Sequence, residues 1–113
     1  MSQLISRVPA TIAINTSLSD AVALGGRVPT VIMMSAAWTA ASLTFQGSPD
    51  AATYYDLYDS DGTEINIPAA AARRIILSSA PFTDHKYLKI RSGTATIPIN
   101  QAAAAVLYVE VWE

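Results

Sequence analysis

The chain has 113 residues, enough for one domain with one hydrophobic core and too few for two. Charged residues make up 14% against a typical figure of about 25%, the formal net charge is −2, and Lys and Arg form no cluster. This composition argues against a nucleic-acid binder, which needs a basic stripe to displace counterions, and the absence of cysteine excludes disulfides and thiolate chemistry.

Residues 1–9, "MSQLISRVP", have neither the basic start nor the apolar stretch of an export signal. No apolar run in the chain reaches the roughly 18 residues of a membrane span, so no membrane partner is expected. The segment reads as an N-terminal arm ahead of a single domain over 10–113, with Leu4, Ile5 and Val8 suited to adding to a neighbour's sheet edge.

From residue 10 the pattern is that of short strands. "ATIAIN" (10–15) alternates, and "SDAVAL" (19–24) does so more weakly. Gly25-Gly26 supplies the positive φ of a tight turn before "VPTVIMMSAAW", which reads as a core strand with Pro29 near its start. "ASLTFQGS" (41–48) places Leu43 and Phe45 on one face and Ser42, Thr44 and Gln46 on a wet one. Ser48-Pro49-Asp50 is a turn signal.

The segment "TYYDLYDSDGTEINI" (53–67) reads as two strands around Asp59-Ser60-Asp61-Gly62. A helix-loop-helix calcium loop would put Leu57 at its first position and Pro68 at its twelfth, where oxygen ligands belong. A looser cation site on Asp59, Asp61 and Glu64 is the alternative to a hairpin whose acidic residues cap the turn, and the hairpin is preferred. In the first strand Tyr55 and Leu57 read as a core pair. Tyr54, Asp56 and Tyr58 share the other face, suited to cross-strand packing, to a protein interface or to stacking on a sugar ring.

"RRIILSS", "HKYLKIRSG" and "VLYVEVWE" complete the strands, the last with Leu107, Val109 and Val111 on one face and Tyr108, Glu110 and Trp112 on the other. "PAAAARR" (68–74) and "NQAAAAVL" (100–107) favour single helical turns by alanine propensity. About eight or nine short strands with turn signals roughly every 8–12 residues is the pattern of an all-β chain, an antiparallel β-sandwich of jelly-roll-like type. Nothing names a catalytic residue, a cofactor site or a metal set. The one histidine, His85, lies between Asp84 and Lys86 at a strand start, and no nucleophile motif accompanies it.

So uncharged and Ala-rich a surface fits a protein that hides part of itself against other subunits. Trp38, Tyr54, Tyr58 and Trp112 are the candidate anchors. Three motifs carry a resemblance: Trp38 to Phe45, Tyr55 to Gly62, and Tyr87 to Gln101 within "KYLKIRSGTATIPINQAA". With them the chain resembles a family of small tailed-phage virion proteins that decorate the capsid or associate with the head. The resemblance implies a non-enzymatic β-sandwich in the virion, assembled in the bacterial cytoplasm as an oligomer, a homotrimer, with the major capsid protein or another virion protein as partner. The Trp-Thr-Ala-Ala-x-Leu-x-Phe segment also resembles carbohydrate-binding sandwiches. In that alternative Trp38, Tyr54 and Tyr58 would stack on a host polysaccharide and Asp56 would bond its hydroxyls. A tail or baseplate component is a further variant.

Overall fold

A computed structural model describes residues 5–78, 80–83 and 85–112. The strands are β1 (Ile5–Ile12), β2 (Val22–Ala23), β3 (Val28–Met33), β4 (Leu43–Ser48), β5 (Tyr55–Asp56), β6 (Arg74–Ile76), β7 (Tyr87–Ser92) and β8 (Ala105–Trp112), with one 3₁₀ turn at Ala80–Phe82. They form two antiparallel sheets of four strands each, ordered β1-β8-β3-β6 and β2-β7-β4-β5, in a sandwich-like arrangement.

Period-two patterning decides what each strand buries. Along β8, Ala105, Leu107, Val109 and Val111 are buried, while Val106, Tyr108 and Trp112 are exposed. Val8, Ala10 and Ile12 of β1 face the same core, joined by Ile32 from β3, Leu43 and Phe45 from β4, and Leu88 and Ile90 from β7. Phe82 in the 3₁₀ turn meets Phe45 edge to face, with ring centroids 4.8 Å apart. Each such buried side chain contributes about 1.5–3 kcal/mol relative to exposure.

Four expectations give way to tertiary context. Residues 5–9, read as an arm, run as the first half of β1, paired with β8 from Ile5↔Trp112 to Ile12↔Ala105; Leu4 lies outside the described residues. Val8 packs against the core and Ile5 is exposed at the strand's start. Thr44, read as wet, is fully buried because its hydroxyl donates to the Gly93 carbonyl at 2.8 Å. Neither alanine run is helical: residues 71–72 form a turn with Ala72 at φ 56°, and Ala105–Leu107 belong to β8, where ladder bonds to β1 outweigh the intrinsic preference. Tyr55, read as core, is 66% exposed. It stands opposite Gly47, the space over Gly47 being filled by the His85 ring.

Pro29 sits inside the sheet at a bulge. The β3–β8 register shifts between Pro29 and Val31, so Thr30 is the extra residue, and its hydroxyl donates to the Glu110 carbonyl.

Candidate functional surfaces

The two sheets turn very different outer faces to solvent. On the β1-β8-β3-β6 face, registry lines up Ile5, Trp112 and Val28 in one row and Arg7, Glu110, Val31 and Ile76 in the next. Ile76 is 77% exposed and Trp112 44%, with Ile5 and Tyr108 also open to solvent. The only carboxylate among these residues, Glu110, is shared: Arg74 donates to both its oxygens at 2.7 and 3.0 Å, and Arg7 approaches at 3.5 Å. The Arg74 hydrogen bonds hold the Glu110 carboxyl below its ordinary range. The Arg7 guanidinium also lies 5.3 Å from the centroid of the Tyr108 ring. This face is therefore largely apolar, with its charges locked to one another.

The β2-β7-β4-β5 face is polar and internally satisfied. Arg91 on β7 is buried and pairs with Asp56 of β5 and, at 3.3 Å, with Glu64. Gln46 donates to the same Asp56 oxygen, and the Ala95 N–H donates to Glu64. The Arg91 hydrogen bond is the main reason the Asp56 carboxyl titrates below the usual range. Lys89 stands over the Tyr54 ring with its Nζ 4.3 Å from the centroid, and burial pushes the Tyr54 phenol up.

The hairpin after β5 is closed by the Tyr58↔Glu64 bridge, and Asp59 accepts from the Asp61 and Thr63 amides at 2.9 and 3.0 Å. Asp59 thus caps the turn, and Glu64 is committed to Arg91 and Ala95. Among the described residues no three His, Cys, Asp or Glu side chains come together as a metal set.

The five expected site residues are divided among three places. Tyr54 and Asp56 lie on the polar sheet face, with Tyr58 exposed on the adjoining hairpin. Trp112 lies on the apolar face of the other sheet. Trp38 packs against the core, and its indole N–H donates to the Ala41 carbonyl at 3.2 Å. Ile76, Arg74 and Arg7, passed over as site residues in the sequence, complete that face, and Glu110, read there only as facing away from Leu107, Val109 and Val111, joins the two arginines. Glu110 standing alone in an otherwise apolar strand was the signal that a cationic partner had to lie beside it. No family model, no curated protein and no solved structure matches this chain.

Proposed function

We propose that the protein is a non-enzymatic structural subunit of a tailed-phage particle, decorating or stabilising the capsid as an oligomer. The observation that carries the reading is the exposed apolar sheet face around Trp112 and Ile76, whose single carboxylate among the described residues is already paired. Such a face suits docking on protein, because it is largely apolar and its Glu110 carboxylate is already paired with arginine. The strand pairing supports a jelly roll: β1 lies beside β8, β2 beside β7, β3 beside β6 and β4 beside β5, as when one long hairpin rolls into two sheets. That architecture serves viral capsid proteins and also lectins. The virion setting itself comes from the sequence resemblance, whose motifs cover most of residues 36–101.

The test is incorporation. Tagged chain supplied during infection should band with purified particles in a density gradient. Ile76→Arg, at an exposed position, should remain in the soluble fraction with its fold intact by circular dichroism. Wild-type chain found only in the soluble fraction would overturn the reading.

A sugar-binding module is the second reading, favoured by the exposure of both Tyr55 and Tyr58 beside Asp56 on the β5 hairpin. Against it, Asp56 is engaged by Arg91 and Gln46, and Lys89 stands over the Tyr54 ring. Tyrosine fluorescence that shifts saturably with host polysaccharide, and fails to do so in Tyr58→Ala, would favour it.

A further inference from the structure

The scarcity of charge is not spread evenly. Four segments, 13–19, 34–42, 65–72 and 93–104, hold 36 residues and contain no Asp, Glu, Lys, Arg or His. The fold brings all four to one end of the sandwich. Asn15 N–H donates to the Gln101 carbonyl, and Gln101 N–H donates to the Thr16 carbonyl, both at 2.9 Å. The Gln101 side chain accepts from Thr39 N–H at 2.8 Å, and Ala102 N–H donates to the Thr39 hydroxyl at 3.0 Å. Ala72 N–H reaches the Ser35 carbonyl, and Gly93 N–H reaches that of Ser42. The turns at the opposite end carry Arg27, Asp50, His85 and Lys86.

We infer that this charge-free end is the surface through which copies of the chain meet. In an isologous contact each patch faces itself, so charged residues risk meeting their like. Within the four segments no side chain is ionisable, and of the charges that border them Glu64 is already paired with Arg91 while Arg73 follows Ala72 at the edge, so contact between the segments themselves meets no such repulsion. The apolar sheet face is less suited to self-contact, since among its described residues two arginines, Arg7 and Arg74, share one carboxylate, and copies of the pair would meet with like charges. About half of the 36 residues are exposed, which approaches the roughly 20–30 residues a side of a standard interface.

Two isoleucines project from this end without cover, Ile97 at 70% exposure and Ile14 at 55%. The surrounding residues are mostly Ala, Thr, Asn and Pro, and alanine and proline lose no side-chain rotamer freedom on contact. The hydrogen bonds between segments hold the surface in shape before any partner arrives. Isoleucine anchors within rigid, uncharged, short side chains suit another copy of the same surface.

The inference rests on the structural-subunit reading, and its test is separate from particle incorporation. Light scattering on the purified full chain over a wide concentration range gives the mass of wild type, Ile97→Arg, Ala103→Asp and Ile76→Arg. All three substitutions are at exposed positions, and circular dichroism checks each fold. Wild type should exceed the 12.0 kDa monomer at least twofold, as should Ile76→Arg, while both end variants fall to monomer mass. A wild type that is monomeric at every concentration, or an oligomer that survives in both end variants, overturns the inference. Dissociation by Ile76→Arg alone also overturns it and moves self-contact to the sheet face. Failure of particle banding with the expected mass pattern would sink the virion reading and leave this surface standing.

Discussion

Glu110 on β8 and Arg74 on β6 are joined by two hydrogen bonds, 2.7 and 3.0 Å, that pass over the intervening strand β3. This is the only carboxylate in β8 within the described residues, and it gives both arginines of a nearly apolar sheet face, Arg7 and Arg74, the same anionic partner. Arg74 also ties the three-residue edge strand β6 to the centre of its sheet. Replacing Arg74 with Met should leave global stability nearly unchanged, as expected of an exposed pair, while speeding amide exchange in β6. Hydrogen exchange by NMR checks this, and unaltered protection at Ile75 and Ile76 would argue against the tie.

The buried charge of Arg91 should matter far more. Arg91→Met removes the partner of both Asp56 and Glu64, each partly buried, and should cost about 3 kcal/mol in urea denaturation. Combining it with Asp56→Asn and Glu64→Gln should recover most of that loss, because no unpaired carboxylate is then left. A triple variant as unstable as the single one would show that packing, not charge, sets the cost.

Acid should unfold the protein through its carboxylates. Asp56 and Glu110 titrate below their ordinary range in the fold because of Arg91 and Arg74 respectively. Their contribution is therefore present above the unfolded values of about 4, and it is lost as pH falls through the lower folded ones. Urea midpoints should be level from about pH 7 to 5 and decline below about pH 4. The Asp56→Asn, Glu110→Gln double variant should decline less steeply, and an identical slope would count against the assignment.

Gln101 is 1% exposed and pairs its side-chain amide with both the N–H and the carbonyl of Thr39. Gln101→Ala should cost about 1–3 kcal/mol, the penalty for leaving those two backbone groups without their partner. It should also loosen the 34–42 and 93–104 segments together, read by their amide exchange. Loss of protection in only one of them would contradict a shared anchor.

Glycines with positive φ should differ in their tolerance of a side chain. At Gly93, φ is 88° and an added Cβ would lie 2.5 Å from the Ile97 carbonyl oxygen, whereas at Gly25 it would meet nothing within 4 Å. Gly25→Ala should cost about 1 kcal/mol, the backbone penalty alone. Gly93→Ala should cost clearly more, since the 93–98 turn must open. Equal thermal midpoints for the two variants would refute the steric argument.

Strand periodicity was enough for the all-β class and the inward residues of β8, because it is a local property that solvent and core read directly. The Asp59 turn cap was legible for the same reason, as it spans only a few residues. Tyr55 was misplaced because alternation gives the direction of a side chain and not whether anything lies above it; the facing position is Gly47, already covered by His85. Thr44 was misplaced because a hydroxyl is buried at little cost once a carbonyl 49 residues away accepts its proton. Only the tertiary structure could decide which strands are neighbours, and so that Arg7 and Arg74 flank Glu110. It alone also gathers four separate uncharged segments at one end, through hydrogen bonds between residues as far apart in sequence as Asn15 and Gln101.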